Sequence, residues 1–245
     1  MLHQNQVYML SHAGMVRKQN EDYIDMIKGK NFFVLSDGMG GHNAGEVASK
    51  LIVESILQSF KQFEQELTNP DKISSFLKTS IDHASRKVFE KSLNNEEQKG
   101  MGGTVVVLFL YDKKYFLSWV GDSRIYLLHK KSLKLLTRDH SYVWQLYNSG
   151  NLGYKQMRHH PLRNVITRAV GNSYEVNSDY LSGKYQPGDT FLLCSDGLNN
   201  ELTDEEINNI LLNNDNIENC VKELVTCANS NGGADNVSVI LIKTE

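Results

Sequence analysis

Between Ala44 and Val88 apolar residues recur every three or four positions, whereas from Thr104 to His129 they come in short runs broken by turn dipeptides. This change of period constrains the fold more than any other property of the 245 residues. Ala44, Val47, Ala48, Leu51, Ile52, Ile56, Phe60 and Phe63 mark one face of a predicted helix, with Asn43 and Glu46 spaced like a capping box. Pro70 suits the first turn of a second helix, whose apolar face is Ile73, Phe76, Leu77, Ile81, Ala84 and Val88. Consecutive strands are expected over 104–110, 115–120 and 125–129, joined at Asp112-Lys113 and Gly121-Asp122. A buried strand over 31–36 precedes the first helix, and another lies at 190–195. Thr203-Asp204-Glu205-Glu206 opens a later helix, a further helix runs over 217–229, and 237–243 closes as a strand. Strands and helices are thus segregated instead of alternating, which specifies an α+β layered sandwich of antiparallel sheets covered by helices.

The rest of the chain adds few alternatives. There is no internal repeat or low-complexity linker, and Pro70, Pro161 and Pro187 are the only prolines, so one domain over 1–245 is expected. The stretch 137–171 mixes His, Asn and Gly among apolar residues and reads as a long surface flap. A formal charge of −3 with scattered basic residues favours neither nucleic acid nor a membrane surface. Cys194, Cys220 and Cys227 sit in apolar stretches, as buried thiols in a reducing compartment would. Gln4, Asn5 and Gln6 interrupt the place of a signal peptide's apolar run, so a cytoplasmic protein is expected.

Acidic residues stand where acid is structurally awkward. Asp37 and Asp196 each end an apolar run and precede a glycine, Asp235 lies just before another such run, and Glu21-Asp22 follow Arg17 at short range. An isolated Asp-Gly is an ordinary turn signal. Several carboxylates converging at sheet edges, however, repel one another unless a cation holds them. An oxygen-rich set without histidine or thiolate selects hard ions such as Mg²⁺ or Mn²⁺ over zinc. Gly38-Met39-Gly40-Gly41 has neither the third glycine of a dinucleotide fingerprint nor the Gly-Lys-Ser/Thr of a phosphate-binding loop.

Arg17-x-x-Asn20-Glu21-Asp22, Asp37-Gly38-Met39-Gly40-Gly41, Gly121-Asp122-Ser123-Arg124, Ser195-Asp196-Gly197 and Asp235-Asn236 resemble, in order and spacing, the motifs of the metal-dependent Ser/Thr protein phosphatases of type 2C. The match spans nearly the whole chain, and segments 41–49 and 164–171 look like the compact bacterial branch. The resemblance implies a four-layer α-β-β-α sandwich, two antiparallel sheets flanked by helix pairs, with a metal site at the sheet edges.

By the same resemblance, Asp37 bridges two Mn²⁺ or Mg²⁺ ions; Glu21 and the carbonyl of Gly38 complete one, and Asp196 and Asp235 hold the other. Asp22 stands behind them, orienting water, and Arg17 forks two phosphate oxygens. Asp122, shared with Asp196, resembles a ligand of a third, weaker ion. The implied reaction is hydrolysis of phosphoserine and phosphothreonine by a hydroxide bridging the two metals, without a phosphoenzyme. Met39 stands where many eukaryotic members carry a histidine proposed as general acid, so no side chain is assigned to protonate the leaving oxygen. Asn200 stands where relatives often have an aspartate for the third ion.

Two other functions fit the sequence less well. Ser195 as a hydrolase nucleophile lacks the glycines of a Gly-x-Ser-x-Gly elbow. A pseudophosphatase acting as a binding module would have lost a metal ligand, and none is missing. The pair His159-His160 has no third ligand nearby and reads as exposed flap; His42 receives no catalytic role. Expected partners are phosphorylated proteins and, more loosely, a bacterial Ser/Thr kinase whose action the enzyme opposes; the protein is expected to be a monomer. The flap is the expected determinant of substrate choice.

Overall fold

Strand β3 (Phe32–Met39) shows why its sequence is continuously apolar: both of its faces are covered. Phe32 and Val34 point to a helical layer, and Phe33 and Leu35 to a second sheet. The structure, a computed structural model, describes residues 5–41 and 44–245. The cap expected at Asn43, like His42, lies outside the described residues.

Along the chain β1 (Gln6–His12) and β2 (Asp22–Ile27) precede β3, and helices α1 (Ala44–Phe63) and α2 (Pro70–Asn94) follow it. Next come β4 (Gly102–Gly103), β5 (Val105–Tyr111), β6 (Lys114–Val120), β7 (Arg124–His129) and β8 (Ser132–Leu135). Short helices α3 (Tyr142–Asn148) and α4 (Tyr154–Met157) lead to β9 (Asp179–Lys184) and β10 (Thr190–Cys194). The chain continues through α5 (Asp196–Asn199), α6 (Asp204–Asn213), α7 (Ile217–Ser230) and β11 (Val237–Lys243). One sheet has the order β1-β11-β10-β7-β8; the other has β2-β3-β5-β6-β9, with β4 beside β3, and all pairings are antiparallel.

Three apolar layers hold this together. Ile52, Ile56 and Phe60 of α1 and Ile73, Leu77 and Ile81 of α2 pack on Phe32, Val107 and Phe109. Phe32 and Phe60 stack with ring centroids 4.1 Å apart. Phe33, Leu35, Val106 and Leu108 meet Phe191, Leu193, Ile240 and Ile242 between the sheets. Ile207, Val221 and Leu224 cover Leu192, Val239 and Leu241 on the far side. The arrangement is the four-layer α-β-β-α sandwich.

Local chemistry sets the joints. Asn69 caps α2, with Pro70 in its first turn, and Thr203 and Glu206 close a reciprocal capping box on α6. Asp112 and Lys113 both take positive φ, 48° and 56°, the turn whose twist matches the hairpin β5-β6.

Three expectations need correction. β3 does not stop at Ser36: it runs to Met39, because Asp37 pairs with Asp22, and Gly38 and Met39 pair with β4. The flap is not irregular throughout, since α3, capped by Ser141, and α4 lie inside it. β1, β2, β8 and β9 are not evident from the sequence; they are the edge strands of the two sheets, and their residues are mostly half-buried or exposed, without a strong apolar run.

Candidate active site

At one end of the sandwich, where the sheets meet, a cavity of about 330 Å³ is lined by Arg17, Glu21, Asp37, Gly38, Asp122, Asp196 and Asp235. Every candidate ligand from the sequence borders it; Asp22 lies just behind the wall, 6% exposed.

Asp37 is fixed by Thr104. The Asp37 N–H donates to Thr104 Oγ1 at 3.1 Å, and the Thr104 N–H donates to the Asp37 carbonyl at 2.8 Å. Glu21 and Gly38 are brought together by a main-chain bond from Gly38 N–H to the Glu21 carbonyl, 3.0 Å. Both face Gly45 in the first turn of α1: a Cβ there would stand 2.5 Å from Glu21 Oε1 and 3.0 Å from the Gly38 carbonyl. Only glycine leaves that carboxylate and that carbonyl side by side.

Asn236 draws the remote pieces together. Its side-chain amide donates to the carbonyls of Ala13 (3.0 Å) and Gln19 (2.8 Å), and its Oδ1 accepts from the Glu21 N–H (2.8 Å). The loop carrying Arg17 and Glu21 is thereby clasped to the residue before β11, and Arg17 donates to Asp235 Oδ2 at 2.8 Å. Asp196 opens α5, and its Oδ2 accepts from the Asn200 side-chain amide at 3.0 Å. Asn200 therefore serves as a donor to Asp196.

The electrostatics are unfavourable as they stand. Burial pushes Asp22 up to about 7 and Asp196 up to about 6. Burial, reinforced by neighbouring carboxylates, raises Asp37 and Asp122 well above the usual range. Asp22 Oδ1 and Asp196 Oδ1 are buried without a hydrogen-bond partner, and Asp37 and Asp196 line the same cavity. Among the described residues no three Asp, Glu, His or Cys side chains form a closed metal cage. Oxygens lining an open cavity suit instead a hard cation that keeps part of its water shell. The donor set and the orphaned oxygens fit Mg²⁺ or Mn²⁺.

Other candidates take ordinary places. Ser195 is fully buried and donates to Asp22, so it is not a nucleophile. Cys194 is buried in β10, where desolvation raises its thiol. His159 is exposed, and His160 lies beside the Tyr142 ring. The flap contributes Asn164 and Ile166 to the cavity wall. The parts played by Thr104, Gly45 and Asn236 are not evident from the sequence, in which the glycine pair before Thr104 and the Asp-Asn dipeptide are the available signals.

A family model described as "Protein phosphatase 2C" matches residues 15–241. The "Serine/threonine phosphatase stp" of Listeria monocytogenes serotype 4b is 34% identical over 235 residues, 95% of this chain and 93% of that protein. The serine/threonine phosphatase of S. agalactiae superposes with a TM-score of 0.92 at 31% identity, covering 99% of this chain and all of that one. The catalytic domain of the phosphatase PstP, solved in complex with two manganese ions, gives a TM-score of 0.84 at 28% identity, covering 98% and 97%.

A sandwich of this topology, with carboxylates converging where its sheets meet, is that of the metal-dependent phosphoprotein phosphatases, and the chain belongs to the protein phosphatase 2C family. Within that family it is a serine/threonine protein phosphatase of the compact bacterial type.

Proposed function

We propose that the cavity holds two divalent ions, Mn²⁺ or Mg²⁺, one by Glu21, Asp37 and the Gly38 carbonyl and the other by Asp37, Asp196 and Asp235. The observation that supports this most directly is the convergence of buried carboxylates, two of whose oxygens have no partner. Bound there, the ions supply neutralisation of the carboxylates, Lewis-acid polarisation of the phosphate and a water of lowered pKa. Asp22, fixed by Ser195, orients water from behind the wall. Arg17 now faces Asp235; once Asp235 is taken up by a cation, the guanidinium is free to fork two phosphate oxygens. Met39 lines the cavity but has no proton to give, so no side chain is assigned to protonate the leaving seryl or threonyl oxygen, for which water is the candidate donor. Asp122, shared with Asp196 along the wall, holds a third, weaker ion.

The substrates are phosphoserine and phosphothreonine in proteins phosphorylated by a bacterial Ser/Thr kinase. The proposed enzyme is a monomer acting in the cytoplasm, with 1–245 forming one catalytic domain. Among the described residues no helix is long and apolar enough to cross a membrane.

The test is hydrolysis of p-nitrophenyl phosphate and a phosphothreonine peptide with Mn²⁺, Mg²⁺ or EDTA. Turnover is expected only with metal, and folded Asp37→Ala and Asp196→Ala are each expected to lose at least about a hundredfold. Wild-type turnover in EDTA, or variants as active as the wild type, would reject the assignment.

A further inference from the structure

We propose that Arg158 is a positioning residue that latches the flap onto the wall carrying Asp196, and so governs how the enzyme takes up a polypeptide substrate; this rests on the function proposed above. Arg158 lies just after α4. Its guanidinium donates to three main-chain carbonyls on the opposite side: Asn199 (3.2 Å), Asn200 (3.0 Å) and Leu202 (3.1 Å). These carbonyls belong to the last residue of α5 and the turn after it, where main-chain partners run out at a helix end, and a planar fork serves several of them at once.

The two sides of the latch are unequally held. The α5 side is anchored without Arg158: Leu198 and Leu202 are buried in the core at 0% and 2% exposure. Ser195 N–H also donates to the Ser238 carbonyl, and the Asn231 side chain to the Glu201 carbonyl. The flap is bonded at its base, through the Ser141–Ile166 bridge, Tyr142 N–H to the Val165 carbonyl and Thr167 N–H to the His140 carbonyl. Its outer part presents Tyr154 and Leu162 to solvent at 51% and 45% exposure, and Met157 is its one deeply buried apolar side chain, a limited hydrophobic hold. Loss of Arg158 therefore frees the flap and leaves Asp196 in place.

What the latch shapes is a second cavity, of about 530 Å³, between Met157 and Tyr154 on the flap and Asn199 and Thr203 opposite. It shares Asp122 and Asp196 with the catalytic cavity, so its width is set immediately beside the phosphate site. A small aryl phosphate needs only the catalytic cavity; a phosphopeptide must also place its neighbouring residues against the flap.

Arg158→Ala and Arg158→Lys test this by two readouts. Hydrogen exchange of the metal-free protein should quicken at amides within 142–165 in the Ala variant and stay unchanged in β10 and β11. In steady-state assays with Mn²⁺, KM for a phosphothreonine peptide should rise at least about fivefold, while kcat for p-nitrophenyl phosphate stays within about twofold. Lysine, with one ammonium for three carbonyls, should recover part of both effects. Unchanged flap exchange overturns the latch whatever the activities do. A fall in p-nitrophenyl phosphate kcat equal to that for the peptide overturns it too, since Arg158 would then support Asp196 itself. An inactive wild type would reject the proposed function and leave exchange to decide the latch.

Discussion

Ser195 Oγ donates to Asp22 Oδ2 across 2.7 Å and accepts from the Ser238 N–H at 3.0 Å, joining the turn before Asp196 to the first residue of β2. Both side chains are buried, so removing the hydroxyl strands a carboxylate and an amide at once. Ser195→Ala is expected to destabilise the metal-free protein by about 1–3 kcal/mol, read from urea unfolding. It should also lower kcat, because Asp22 loses the donor that orients it. Unchanged stability and kcat would remove Ser195 from the site's support.

The buried acids set a pH dependence with a definite sign. Asp22 at about 7 and Asp196 at about 6 bind protons in the folded state that the unfolded chain has released. Their contribution to stability is complete below about pH 4, near the unfolded value, and is lost as pH rises through 6 and 7. Metal displaces those protons, so the rise in Tm on adding Mn²⁺ should be larger at pH 8 than at pH 5.5. Thermal unfolding with Mn²⁺ or EDTA at the two pH values checks this; an equal rise at both contradicts it.

Gly45→Ala separates helix stability from ligand placement. Alanine in a helix is favoured over glycine by about 1 kcal/mol, yet the new methyl would stand 2.5 Å from Glu21 Oε1. The flexible carboxylate moves, not the helix. Stability should hold, while the Mn²⁺ concentration for half-maximal activity rises about tenfold or more. A metal titration with and without the substitution reads this directly.

Arg17 is half exposed and paired with an accessible Asp235, so the pair adds little to stability. Arg17→Ala should keep its urea midpoint yet lose about 10–100-fold in kcat/KM. Arg17→Lys keeps the charge without the fork and should recover only part of the loss. Full recovery by lysine would show that charge alone suffices.

Long amphipathic faces and strands buried on two sides were legible because their patterns are local and strong. Ile73 to Val88 keep one stripe, and Phe32 to Leu35 are apolar on both faces. β9 was not legible: Asp179–Lys184 alternates exposed and half-buried residues and includes Gly183, a pattern shared with loops. β1 likewise has Gln and His at its ends, and its place is set by pairing with β11, more than 200 residues later. In the site, the acidic residues stood out by motif. The parts played by Thr104 and Asn236 did not, because each depends on partners 67 and 215 residues away.

β11 is an inner strand of its sheet, between β1 and β10, and Asp235 leads into it. On the ribosome, Glu21 and Asp37 emerge long before Asp235, and the clasp at Asn236 has nothing to close until β11 slots between its neighbours. On the proposed assignment, a nascent chain carries only half of the carboxylate set and should stay inactive toward phosphoproteins until β11 is made. A protease cut in the loop ahead of Asp235 that released this strand would return the enzyme to the same silence.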